Sequence, residues 1–212
     1  SVMAEFNSYL LGKASKSVGN VTLFYVKKKN IARAKIFKRK DTVTPEILTQ
    51  RAKLGILSQE GRRMLPVVRK GFVGVGKGSP SNAFVQLNMD AVEVDGDYNA
   101  TINYPQLRVA SGIQITPKVA ATYSEPDSQY AFTVESQEEE EGFALTDDKV
   151  YAVLYESVLK RTRLVDLGTR GAPNELSYQL PEDWDAANVH LYAFATTANG
   201  RVASDSIYLT VG

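Results

Sequence analysis

The sequence predicts a mainly β protein in which a small basic α+β head precedes an antiparallel β-sandwich. Three observations lead there. Residues 12–65 place a lysine-rich β-hairpin pattern directly before a basic helix pattern. From residue 94 onward, short apolar strand patterns recur between turn signals at the spacing of a sandwich. The charge also divides: residues 1–78 hold 17 Lys plus Arg against 4 Asp plus Glu, a net +13, and residues 79–212 hold 8 against 20, a net −12. On this basis the head covers residues 1–93 and the sandwich residues 94–212.

The head opens on GKASKSVGN, in which Gly12, Lys13, Lys16 and Gly19 mix small residues with positive charge. This predicts a flexible lead-in. Residues 21–28 and 31–38 are β-branched and aromatic runs, and the Lys29-Asn30 pair between them suits a tight hairpin turn. Along the first run Leu23 and Tyr25 share one face while Thr22, Phe24 and Val26 share the other. Both faces carry apolar groups, so the ribbon needs cover on at least one side. The next helix supplies a candidate. Thr44-Pro45-Glu46 combines a capping hydroxyl, proline in the first turn and an acid at the positive end of the dipole, and Arg62 and Arg63 sit near the negative end before Leu65-Pro66. Its apolar residues circle much of the axis, which predicts a helix held between two layers.

The following stretch, VVRKGFVGVGKGSPSNAF, imitates a phosphate-binding loop through Gly71, Gly76 and Lys77. Gly78 occupies the position where that motif needs Ser or Thr for magnesium, so a basic glycine-rich turn is the expected reading. Ser79 or Ser81 then caps a short helix. Asp95-Gly96 signals a hairpin turn. Asp95, Asp97 and Asn99 mimic the first ligands of a calcium loop, but Ala100 and Gln106 stand where that loop requires glycine and a bidentate glutamate. Strands are then expected at 107–110, 113–115, 119–123, 130–135, 150–156, 162–167, 175–180, 189–196 and 202–210.

The last hairpin, LPEDWDAANVHLYAFATTANGRVASDSIYLTV, resembles that of a fibronectin type III or related immunoglobulin-like domain. Val189, Leu191, Ala193 and Ala195 alternate before an Asn199-Gly200 turn, and Ile207 and Leu209 lie on the returning strand. The resemblance implies an immunoglobulin-like sandwich and casts Tyr192 as its strand-F aromatic, although Trp184 lies in a loop rather than on an early strand. The chain as a whole resembles an uncharacterised family of Bacteroidetes, a domain of unknown function. That likeness rests on Gly12, Lys13, Val18, Gly19, Asn30, Arg33, Gln50, Arg51, Ala52, Asn82 and the last hairpin. It implies architecture and no activity.

No enzymatic apparatus is expected. The chain lacks cysteine, which excludes disulfides, thiolate zinc sites and thiol catalysis. His190 is its single histidine, and no G-x-S-x-G elbow presents a serine. The acidic run at residues 138–141 reads as solvated charge or a docking surface for the basic head. No cofactor or metal is expected. No secretory leader or membrane span is visible, and with Met3 read as the natural start the cytoplasm is the expected location. The function expected is that of a structural or interaction protein, by analogy a component of a phage-like particle. Its head would assemble with a protein partner or neighbouring subunit through Lys13, Lys16, Lys27, Lys28, Lys29, Arg33, Lys35, Lys38, Arg39 and Lys40. The alternative is nucleic-acid binding, with those cations on phosphates and Phe24, Tyr25 or Phe37 stacked on bases.

Overall fold

The computed structural model describes residues 3–7, 12–35, 43–140 and 142–212. The chain forms two compact units, Ser1–Thr44 and Pro45–Gly212. The first is one antiparallel sheet of β1 (Met3–Phe6), β2 (Lys16–Val18), β3 (Val21–Val26) and β4 (Lys29–Ala34), in the order β1-β4-β3-β2. Val26 pairs with Lys29, so the β3–β4 turn is Lys27-Lys28 and not Lys29-Asn30. Both turn lysines have positive φ, 50° and 64°, the mirror-image turn that matches strand twist. Asn30 is therefore free for another task. Its side chain accepts from Ala14 N at 3.0 Å and donates to Gly12 O at 2.8 Å, which ties the lead-in to the sheet. The expected flexible lead-in is thus an anchored segment that continues into β2.

The second unit begins with α1 (Pro45–Arg63), α2 (Leu65–Gly71) and α3 (Pro80–Leu87), followed by a hairpin of β5 (Val92–Val94) and β6 (Ala100–Ile102). Pro66 does not end the helical segment, because it falls in the first turn of α2, where a missing N–H costs nothing. Ser79 caps α3, its hydroxyl accepting from Asn82 N at 3.3 Å. Seven further strands follow: β7 (Val119–Ser124), β8 (Gln129–Val134), β9 (Lys149–Glu156), β10 (Arg161–Thr169), β11 (Asn174–Gln179), β12 (Val189–Thr196) and β13 (Ile207–Leu209). They make two antiparallel sheets, β11-β8-β7 and β10-β9-β12-β13. Residues 107–110 and 113–115 are not strands; Gln114 makes only an isolated bridge to Ser204.

The larger sheet is the middle of three layers. Val150, Ala152, Leu154, Leu191 and Ala193 pack with Phe132, Tyr130, Leu180 and Trp184 in the core between the two sheets. The alternate residues Tyr151, Val153, Tyr155, Tyr192 and Phe194 pack with Leu57, Met64, Val68, Phe72 and Phe84 of the helices. The helices consequently share a core with the sandwich, and the structural division falls at 44/45 where the sequence pattern placed it at 93/94. No helix among the described residues is long and apolar enough to cross a membrane.

Two glycines test this packing in opposite directions. Gly71 ends α2 against residues 109–110, and a Cβ there would lie 2.3 Å from Val109 O and 2.7 Å from Ala110 Cβ. Gly71→Ala is expected to destabilise by roughly 1–3 kcal/mol. Gly55, exposed in the middle of α1, would meet nothing within 4 Å. Gly55→Ala is expected to stabilise by about 0.5–1 kcal/mol. Urea midpoints of the two variants check both signs.

Candidate functional site

The basic sheet is the first candidate. Cross-strand pairing puts Phe6, Val18, Val21, Leu23, Tyr25 and Lys16 on one face, and Met3, Glu5, Phe24, Ile31, Arg33 and Lys29 on the other. The first face is apolar and partly open: Val18 is 71% exposed, Val21 40% and Tyr25 37%. Lys13 lies over the Tyr25 ring, 5.3 Å from its centroid, and Lys27 and Lys28 crown the hairpin tip. On the second face Lys29 pairs with Glu5 at 2.9 Å, both side chains exposed, and Arg33 covers the Phe24 ring at 5.4 Å. Lys35 follows β4, its N–H donating to Asn20 O at 2.7 Å. Lys13, Lys16, Lys27, Lys28, Lys29, Arg33 and Lys35 therefore belong to one small sheet but divide between its faces, tip and edge. Lys38, Arg39, Lys40 and Phe37 lie outside the described residues.

The second candidate is a buried polar cluster that sequence reasoning missed. Glu60 of α1 is 1% exposed. Its carboxylate accepts from Arg63 at 2.7 Å and from the Tyr155 hydroxyl of β9, and Lys160 Nζ lies 3.6 Å away. Lys160 also donates to the Tyr104 hydroxyl at 3.2 Å. Tyr104 stacks on His190 of β12 with ring centroids 4.2 Å apart, and His190 Nδ1 meets the Tyr208 hydroxyl at 3.1 Å. Tyr192, on the same face, donates to Tyr104 O at 2.7 Å. Burial, reinforced by the hydrogen bond to Glu60, pushes the Tyr155 phenol well above its ordinary range. Burial also lowers the His190 imidazole, outweighing the upward pull of Glu156, with Lys160 adding to the depression. The cluster thus gathers phenols and an imidazole around one buried acidic side chain, and it ties α1 to the central sheet. The i, i+3 spacing of Glu60 and Arg63 was its one sequence signal.

The remaining motifs resolve locally. Gly71 is buried at the end of α2, and its carbonyl accepts from Ser111 N at 2.8 Å; its glycine identity serves close packing. Asp95 turns its carboxylate onto its own hairpin, accepting from Asp97 N, Asn99 N and Asn99 Nδ2 at 2.8–2.9 Å. These bonds, the Asn99 side chain first, hold its carboxyl below the usual range. No group of three or more metal-ligating side chains occurs among the described residues. In the acidic run, Glu139 accepts from the Thr146 hydroxyl at 3.1 Å, and Glu140 makes a backbone bridge to Ala144.

No protein-family model and no curated protein matches the chain. Among solved structures, a domain of the outer membrane lipoprotein Omp28 from Porphyromonas gingivalis is similar over 45% of this chain and 86% of that one, at 18% identity and a TM-score of 0.35. An endonuclease/exonuclease/phosphatase from Beutenbergia cavernae DSM 12333 is similar over 46% of this chain and 28% of that one, at 17% identity and a TM-score of 0.27. Likenesses at this level identify neither a family nor an activity.

Glu60→Ala removes the acceptor of the buried Tyr155 hydroxyl and is expected to destabilise by roughly 1–3 kcal/mol. Glu60→Gln keeps an acceptor and should cost less. Arg63 and Lys160 are about one third exposed and turn to solvent in either case. Chemical denaturation of the pair checks the order. His190 supplies a pH signature. With its folded pKa held below 6.5, the folded state binds fewer protons than the unfolded state, so stability falls as pH drops below about 6.5 and levels off under the depressed value. His190→Gln should lose less stability than the parent between about pH 7.5 and 5, read from denaturation midpoints at each pH.

Proposed function

We propose that the chain is a non-enzymatic interaction protein. Its basic sheet docks on an acidic protein surface, and its sandwich, read as immunoglobulin-like, serves as a binding or spacing module. The observation that carries this is the burial of the first unit: among its described residues only Ala14 and Asn30 are buried. A four-stranded sheet gains independent stability from a covered apolar face. Here that face is open around Val18, Val21 and Tyr25 and carries lysines at its rim and tip. An apolar centre with a charged rim is the usual anatomy of a protein interface, and a positive rim selects an acidic partner. The chain itself offers one. Ser1–Thr44 carries a net charge of +8 and Pro45–Gly212 a net −7, so a neighbouring copy presents an acidic surface of suitable size.

Two points support the sandwich reading. Seven antiparallel strands divide three and four between facing sheets, and the chain crosses repeatedly from one sheet to the other. Base stacking fits less well, because Phe24 and Tyr25 point to opposite faces and each ring is already covered by a cation of this chain.

Light-scattering mass across a salt series tests the proposal. The expected result is a multimer at low salt that dissociates as salt rises, and a mass at low salt that falls towards the monomer when Lys27, Lys28 and Lys29 are all replaced by Glu. A monomer at every salt concentration would overturn docking between copies. A salt-sensitive shift that appears only on adding mixed-length nucleic acid would replace the reading with phosphate binding.

A further inference from the structure

The second unit carries more acid than base, yet several of its cations without a carboxylate partner gather in one place. Arg69 and Lys70 at the end of α2, and Lys149 at the start of β9, line a cavity of about 220 Å³ together with Tyr151, Thr196 and Asn199. None of the three cations has an ion pair among the described residues, and no carboxylate lines the cavity. Lys149 and Thr196 are direct cross-strand partners, so both project from the helix-facing side of the central sheet. Lys70 Nζ lies 5.1 Å from the centre of the Tyr151 ring, which holds that cation over the floor. Thr196 is 3% exposed, and its hydroxyl makes no hydrogen bond within the chain.

The end of α2 does not need these cations. Val68 O accepts from Phe72 N at 3.1 Å and Gly71 O from Ser111 N at 2.8 Å, so carbonyls at the helix end are satisfied by backbone. What the site lacks is a carboxylate to balance the cations. Three cationic donors and the Thr196 hydroxyl line a space smaller than the roughly 300–1,000 Å³ of a complete small-molecule site. It suits the head group of a ligand. A second cavity of about 530 Å³ shares the Val73 wall and adds the apolar side chains of Val75, Ile113 and Val202 with Arg108 and Arg201. Its one acid, Asp205, already accepts from Ser111 Oγ at 2.9 Å and Gly112 N at 3.2 Å.

We propose that Arg69, Lys70, Lys149 and Thr196 form a binding site for the phosphate group of a small organic phosphate, whose less polar body lies in the adjoining cavity beyond Val73. The reasoning uses only residues of the second unit and is independent of the basic sheet, so the failure of either proposal leaves the other standing.

Calorimetric titration of the full chain with sodium pyrophosphate at constant ionic strength tests it, with citrate as the carboxylate comparison. The expected result is saturable binding of one pyrophosphate per chain, weakened at least about fivefold in Lys149→Gln and about threefold in Thr196→Val. Arg161→Gln, which removes an exposed cation paired with Asp183, should leave the affinity unchanged. Thermal unfolding verifies that each variant is folded, and Thr196→Val, close to isosteric, keeps the test sound if Lys149→Gln is not. Absence of saturation up to about 10 mM, an affinity unaltered in folded Lys149→Gln and Thr196→Val, or tighter binding of citrate than of pyrophosphate would each overturn the assignment.

Discussion

Strands β9 and β12 have no solvent face, and most of the second unit follows from that constraint. A strand in an ordinary two-layer sandwich alternates buried and exposed side chains. In β9 every residue from Val150 to Glu156 is buried, and in β12 every residue from Leu191 to Thr196. Their outer face carries Tyr151, Tyr155, Tyr192 and Phe194, and so much aromatic area could not stand in water without cover. The helices and the β5–β6 hairpin provide it. The same requirement explains why α1 presents Leu57, Glu60 and Gly61 to the interior, and why α2 must end on a residue without a side chain.

A third layer brings polar groups inside with it. Four tyrosine hydroxyls and one imidazole lie near the helix–sheet boundary, and the buried Glu60 side chain accepts at the centre of that cluster. At the opposite end of the central sheet, Arg170 is 1% exposed. It donates to Asp148 at 3.1 Å, Gln137 Oε1 at 2.8 Å and Ile115 O at 2.6 Å, fastening three loops to the rim. Breaking such a buried pair costs far more than its formation returns, so these groups fix one arrangement of the layers more than they add stability.

Most strands of the sandwich were legible because they sit between unambiguous turns, and the predicted spans for β7 to β12 agree with the observed ones to within about two residues, whereas the strand expected at 202–210 is formed only at Ile207–Leu209. The third layer was harder to see. Alternation at Val189, Leu191, Ala193 and Ala195 already accounted for one buried face, and the intervening Tyr192 and Phe194 carried the second. An uninterrupted apolar run was the available signal. The hairpin turn was misplaced for a different reason: Asn tolerates positive φ better than lysine does, so local propensity favoured Lys29-Asn30 over Lys27-Lys28. A tertiary demand overrode it, because Asn30 is needed in β4 to hold Gly12 and Ala14. The phosphate-site candidate was out of reach, since Arg69, Lys149 and Thr196 are distant in sequence and meet only after α2 lies across the end of the sheet.

Residues with a side chain take positive φ in both units, Lys16, Lys27 and Lys28 in the first and Tyr98, Ser128 and Lys160 in the second. Glycines take the other positive-φ positions, Gly12 and Gly19 in the first unit and Gly74, Gly76, Gly142, Gly168 and Gly200 in the second, where a missing Cβ relieves the steric conflict. Lys27 and Lys28, both at positive φ, together make the whole of the β3–β4 turn. For an L-residue with a side chain that conformation costs on the order of 1 kcal/mol, and the hairpin turn would form more readily with Asn-Gly. Self-stability therefore does not explain the choice at the tip, because uncharged residues would serve the fold better. The two lysines place charge at the tip of the sheet whose apolar residues Val18, Val21 and Tyr25 are exposed. Strain, charge and open apolar surface thus converge on the same small element, and the proposed docking role rests on that convergence.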